Sequence, residues 1–136
     1  MRTTPIPAPH ADLVFLSKQD LHSLADGLIL EDRRSIDRCV DFVISETKGL
    51  WHGRARAMMC RRLKHCALGR KQRTQLVKAI SERLASGAFS EQFKDQLRLA
   101  MHLDMETTVA AANKALKSNR SHAIRYAQWV LSHENL

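Results

Sequence analysis

Hydrophobic residues recur along most of the chain at intervals of three and four positions, which is the period of an amphipathic helix. The clearest stripe, within residues 71–86, consists of Leu76, Val77, Ile80 and Leu84. No segment shows the sustained alternation of apolar and polar residues that is typical of a half-buried strand. All three prolines lie within the first nine residues, so the rest of the chain is free to be helical. The pattern predicts an all-α fold without a sheet.

Capping residues and glycines divide this pattern into about seven helices. Ser17–Asp20 resembles a capping box and opens the first helix, whereas Gly87 occupies the C′ position after the fourth. The second, third, fourth and seventh helices are expected at residues 33–48, 54–65, 71–86 and 121–133. The N-caps of the fifth, sixth and seventh helices are expected at Ser90, Asp104 and Ser121.

Short connections between these helices imply that sequence neighbours pack antiparallel to each other. Helices two and three, four and five, and six and seven form three predicted hairpins, with the first helix as a cap. We therefore expect a flexible N-terminal tail over residues 1–10 and a single all-helical domain over residues 11–136.

The hairpins suggest a two-helix repeat. Apolar positions near the ends of their second helices, Leu63, Met101 and Leu131, are separated by 38 and 30 residues. The last helix, SHAIRYAQWVLSH, resembles the second helix of a HEAT-type repeat. This resemblance to HEAT and armadillo-type proteins covers residues 33–133 and implies an α-solenoid; a compact helical bundle is the alternative. HEAT-like proteins include glycosylases that hold DNA on a basic concave surface, which implies nucleic-acid contact.

The composition restricts the class of protein. Hydrophobic residues make up 44% of the 136 positions and charged residues 26%, as in soluble globular proteins. No apolar run reaches the roughly 18 residues of a membrane span, and the N-terminus lacks the apolar core of a secretory signal. The three cysteines are an odd number, which disfavours a disulfide framework. We expect a cytoplasmic protein with reduced thiols.

The net charge of +8 is concentrated in one segment of the chain. Residues 47–81 contain ten lysines and arginines and no acidic residue. The exposed face of the third helix therefore carries only positive charge, and Arg56 and Arg62 lie beside its apolar stripe. Either acids of the second helix, such as Asp37, Asp41 and Glu46, neutralise this face, or it binds an anionic partner.

The leading interpretation is a non-catalytic helical-repeat binding or adaptor protein whose basic surface binds an acidic protein. The alternative is a nucleic-acid-binding protein that uses the helix over residues 54–65 together with residues 70–78. The predicted partner-binding residues are Trp51, Arg54, Arg61, Lys64, His65, Arg70, Lys71, Arg73 and Lys78.

The last helix has a second candidate contact surface. Trp129 falls on its polar side one turn after Arg125, whose guanidinium can stack on the indole ring. The pair predicts an interface with a partner or a homo-oligomer formed through residues 121–133.

Candidate catalytic and metal-binding groups are few. Cys60 and Cys66 point about 120° apart on a helix, so they do not converge on one ion. Glu91, Asp95 and His102 share a face of the fifth helix and define a third interpretation, a metal-dependent enzyme. The prediction is no enzyme activity, no catalytic residue, no metal and no cofactor.

Overall fold

The computed structural model describes residues 12–89 and 92–134. Their regular secondary structure consists of helices only, and they contain no strand. A 3₁₀ turn, Leu13–Phe15, precedes α1 (Lys18–Ile29), α2 (Arg33–Ile44), α3 (His52–Leu63), α4 (Arg70–Ser86), α5 (Lys94–Leu103), α6 (Met105–Ala115) and α7 (Ser121–Ser132). The all-α prediction is confirmed. The tail predicted over residues 1–10 lies outside the described residues.

Local capping signals placed several helix ends correctly. The Ser17 hydroxyl accepts from the Asp20 amide at 3.1 Å, and the Asp20 carboxylate accepts from the Ser17 amide at 3.0 Å. Asp104 caps α6 by accepting from the Thr107 amide at 3.0 Å. Gly87 ends α4 with a φ of 77°, a left-handed conformation that glycine adopts without strain.

Other predicted ends were wrong or remain undescribed. α2 ends at Ile44 and not near residue 48, because Ser45 is extended and its hydroxyl donates to the Phe42 carbonyl at 2.9 Å. Ser121 is the first residue of α7 and not its N-cap, a position held by Arg120 without a side-chain capping bond. The predicted cap Ser90 lies outside the described residues, and the N-cap position of α5 is held by Phe93 without a side-chain capping bond.

The helices pack in two layers. Each of α3, α4, α5 and α6 contacts the helix two positions earlier, so α1, α3 and α5 form one layer and α2, α4 and α6 the other. The three pairs predicted as hairpins also contact each other, and α7 packs on α6 and α4. This packing is compatible with a helical repeat or with a compact bundle.

The apolar core lies between the layers. Its largest fully buried side chains include Phe42, Met59, Leu63 and Phe93. The predicted α4 stripe is buried in full, whereas Leu116, expected inside α6, follows that helix and is 37% exposed. No helix within the described residues is long and apolar enough to span a membrane.

At Gly27 the backbone of α1 approaches α2 closely. A Cβ atom at this position would lie 2.5 Å from the Cβ atom of Ser35, well inside van der Waals contact. The close approach of α1 and α2 at this point therefore requires a residue without a side chain.

Two buried thiols make the stability of the fold sensitive to alkaline pH. Cys39 and Cys60 are fully buried, and burial raises the pKa of each thiol to about 12 from an ordinary value of 9.0. Between these values the unfolded chain has lost a proton that the folded chain retains, so stability falls as pH rises above 9.

Unfolding by urea should therefore become easier between pH 7 and pH 10, by about 1 kcal/mol for each thiol. In the variant C39A/C60A this part of the pH dependence should disappear, whatever the overall stability of the variant. Urea midpoints at several pH values, with a reducing agent present, measure the difference. Parallel pH profiles for the two proteins would contradict the assignment.

Candidate functional site

The basic face of α3 is partly neutralised within the protein. Arg61 Nη1 lies 2.7 Å from Asp95 Oδ2, and Arg62 Nη1 lies 3.3 Å from Asp26 Oδ1. These acids come from α5 and α1 and not from α2, where sequence reasoning placed the neutralising residues. Asp37 instead pairs with Arg33 on its own helix, at 2.9 Å. Arg61 is thus less available to a partner than predicted.

The remaining predicted cations of α3 lie at its two ends. Arg54 is exposed in the first turn, whereas Lys64 and His65 follow the last turn, about 15 Å away by helix rise. Cations at a C-terminus are stabilised by the helix dipole, so Lys64 and His65 have a structural explanation. The helix dipole does not explain Arg54, since the first turn carries partial positive charge.

A second group of predicted cations lies along α4. Arg70, Arg73 and Lys78 line a groove of about 590 Å³ with residues at the start of α6, and Lys71 is exposed beside them. No ion pair involves these four cations within the described residues. Two acids, Glu82 and Asp104, line the same groove and reduce its positive charge.

Trp51 lies at the head of an apolar groove between α1 and α3. The groove has a volume of about 290 Å³ and its apolar lining consists of Leu21, Ala25, Ala55 and Met58. Trp51 is the N-cap of α3, has a φ of 69° and is 39% exposed. A left-handed conformation is strained for a residue with a bulky side chain, and such strain is concentrated at functional positions.

Two cations flank the Trp51 ring. Lys18 Nζ lies 4.1 Å and Arg54 Cζ 5.3 Å from the ring centroid, both within the range of cation–π attraction. The predicted partner-binding residues include Trp51 and Arg54 but not Lys18, because the helix that carries Lys18 is distant along the chain. The groove at Trp51 and the groove along α4 share no lining residue.

The predicted Arg125–Trp129 stack was wrong. The cations near the Trp129 ring are Lys94 and Arg98 of α5, each 5.3 Å from its centroid. Arg125 lies over the ring of Tyr126 instead, at 5.6 Å. Trp129 is half-buried against its own fold, and an interface through α7 remains a prediction.

Of the groups of the third interpretation, the structure describes Asp95 and His102. The Asp95 carboxylate bonds to Arg61 and Arg98, at 2.7 and 3.2 Å, and Glu91 lies outside the described residues. No three metal-ligating side chains cluster within residues 12–89 and 92–134. Cys66 donates to the carbonyls of Leu28 and Arg62.

A cluster of hydrogen bonds around one buried arginine was not predicted from the sequence. Arg83 is only 7% exposed, although arginine is rarely buried. It donates to the Gln96 side chain at 2.8 Å and to the carbonyls of Ile44 and Ser45 at 2.7 and 3.3 Å. The available signal was helical register: Arg83 follows Ile80 by three positions and so falls within the apolar stripe of α4.

Nearby, Arg56 joins the same loop between α2 and α3. Its Nη2 donates to the carbonyl and hydroxyl oxygens of Thr47, both at 2.7 Å, and its guanidinium lies 4.9 Å from the Phe42 ring centroid. The Thr47 hydroxyl is also 2.7 Å from Nδ1 of the buried His52, and His52 Nε2 donates to the Leu16 carbonyl at 3.1 Å. Side chains from α3 and α4 thus hold a loop that has no regular structure.

No protein-family model matches this chain, and no curated protein or solved structure is significantly similar to it. Its function is therefore inferred from the chemistry of its own surfaces.

Proposed function

We propose that the protein is a non-catalytic helical binding protein, HEAT-like in its stacking, whose α1–α3 groove binds an acidic, amphipathic segment of a partner protein. The observation that carries the proposal is the Trp51 ring, placed between Lys18 and Arg54 at the edge of an apolar groove. The three free thiols suit a reducing compartment such as the cytoplasm.

The groove has the two elements of helix-in-groove recognition. Leu21, Ala25 and Met58 offer an apolar floor for one or two anchoring side chains, and the two cations at its rim attract carboxylates that flank such anchors. Exposed tryptophan and arginine are also the residues that most often dominate binding energy at protein interfaces. A segment with apolar residues on one face and acids beside them fits both elements.

Lys18 and Arg54 occupy positions that the helix dipole disfavours. Lys18 is the first residue of α1 and Arg54 lies in the first turn of α3, where the helix dipole repels cations. Neither residue forms an ion pair within the described part of the chain. The Trp51 ring attracts both cations but carries no net charge, and an anionic partner would supply the carboxylates that they lack.

The test uses two labelled helical peptides, one rich in Glu and Leu and a matched one rich in Lys and Leu, at about 50 mM salt. The acidic peptide should bind and change the fluorescence of Trp51, measured in a W129F background so that a single tryptophan reports. The variant K18E/R54E should weaken binding at least tenfold, because both rim charges are reversed. The control R73E/K78E makes the same change of charge on α4 and should have little effect.

Misfolding does not explain a loss in K18E/R54E, since acids in the first turn of a helix are favourable. Equal losses in both variants would show attraction by net charge alone and reject the groove as the site.

Nucleic acid is the second candidate partner, and the row of cations on α4 favours it. Arg70, Lys71 and Arg73 all lie in the first turns of α4, where no acid is present. If nucleic acid is the partner, a duplex DNA of equal charge should bind more tightly than the acidic peptide in the same experiment. Its affinity should fall steeply with salt and be lost in R73E/K78E but not in K18E/R54E.

A further inference from the structure

A separate cleft lies between the α2–α3 loop and the ends of α4 and α7. It has a volume of about 580 Å³ and shares no lining residue with the Trp51 groove. The groups in its lining that can carry positive charge are Lys48, Arg56, Arg83, Arg120 and His122. The only carboxylate in the lining is that of Glu46.

The arginines of this cleft differ from the paired arginines elsewhere in the fold. Arg33, Arg61 and Arg98, for example, each have an aspartate oxygen within 3.2 Å. By contrast, no carboxylate of the described residues forms an ion pair with Arg56, Arg83 or Arg120. Their bonded partners are carbonyl, hydroxyl and amide oxygens, and Glu46 offsets the charges of Arg56 and Arg83 only in part, without forming an ion pair.

Two of these charges are removed from water. Burial and, to a smaller extent, repulsion from Arg83 lower the pKa of Arg56 to about 10, although Glu46 acts in the opposite direction. Burial also lowers the pKa of Arg83. The buried Nε of Arg56 has no hydrogen-bond partner, so one donor of the pair remains unused. Buried charge that is only partly compensated is unfavourable, and an anion between these groups would relieve it.

The other cations extend the positive charge toward the mouth. Arg120 and His122 both bond to the carbonyl of Gly87, at 3.3 and 2.8 Å, which fixes them at the entrance. Lys48 lies on the α2–α3 loop, lines the same cleft and forms no ion pair within the described chain. Several fixed donors around one space are the arrangement that tetrahedral oxyanions require.

We propose that this cleft binds the phosphate group of a small phosphorylated molecule, with Arg56 and Arg83 at its base and Arg120, Lys48 and His122 at its entrance. A dianion matches an excess of positive charge that a single carboxylate would compensate only in part. The volume lies within the range of small-molecule pockets and leaves space for an organic group beside the phosphate. The site is distinct from the Trp51 groove, so either proposal can fail without the other.

Isothermal titration with inorganic phosphate and with phenyl phosphate, at about 20 mM salt, tests the site. Both ligands should bind, and R120Q/K48Q should weaken binding at least tenfold, because two charge-assisted contacts are lost. These residues are at the mouth of the cleft, so the variant avoids the buried arginines that the fold needs. E46Q should strengthen binding several-fold by removing the competing carboxylate.

The control R70Q/R73Q removes the same charge from the outer surface of α4 and should leave the affinity unchanged. Tighter binding of phenyl phosphate than of phosphate identifies a phosphorylated organic ligand, and equal binding identifies the free anion as the ligand of the same site. Absence of binding to both, or equal weakening in R120Q/K48Q and R70Q/R73Q, would overturn the proposal.

Discussion

Replacement of Phe93 by alanine is expected to lower the free energy of unfolding by about 3–5 kcal/mol. Phe93 is fully buried, and its ring stacks on that of Phe89 with a centroid distance of 4.1 Å. Tyr126 meets both rings edge-on, at 5.2 Å from Phe89 and 6.1 Å from Phe93. The cluster joins the start of α5 to α7, so the cavity left by truncation cannot be closed by one neighbour alone.

Urea denaturation of F93A measures this loss directly. The control is F15A, since the Phe15 side chain is 82% exposed and its truncation should change stability by no more than a few tenths of a kcal/mol. Similar small losses for both variants would mean that the α5–α7 contact contributes little to the stability of the fold.

The variant G27A should be less stable than the natural protein by about 2 kcal/mol, although alanine is the better helix former. On propensity alone the exchange would stabilise α1 by about 1 kcal/mol. The new methyl group, however, would overlap the side chain of Ser35 on α2. Because the Cβ atom of Ser35 is fixed to its backbone, the two helices would have to separate.

A second substitution separates the overlap from any other effect. S35G removes the side chain that the methyl group meets and keeps the Ser35 amide, which donates to Asp32 at 2.9 Å. In G27A/S35G most of the loss caused by G27A should be recovered, which gives a favourable coupling energy in the double-mutant cycle. A single G27A variant that is more stable than the natural protein would show that propensity outweighs the contact.

The sequence was sufficient for the features that depend on local interactions. The helical period placed all seven helices, and the caps at Ser17, Gly87 and Asp104 formed as expected. Each of these features involves residues within about one helical turn of each other. α2 was predicted too long because the bond from Ser45 to the Phe42 carbonyl ends the helix before its apolar pattern ends.

The candidate sites depend on contacts between distant segments, which the helical period does not specify. Lys18 meets Trp51, Arg61 meets Asp95, and Lys94 replaces Arg125 beside Trp129 only after the helices have packed. The concentration of cations could be read from the sequence, but the side chains that these cations contact could not. Arg83 illustrates the limit: its position on the buried face was available from the sequence, but the carbonyls that it binds were not.

Those carbonyls have a consequence for how freely the protein can vary through evolution. Arg83 and Arg56 hold the loop after α2 largely through main-chain oxygens, those of Ile44, Ser45 and Thr47. Any amino acid supplies such an oxygen, so the loop can exchange many of its side chains and keep its shape. The two guanidiniums have no comparable substitute. Selection on the shape of this loop would therefore act mainly on two arginines that lie outside it.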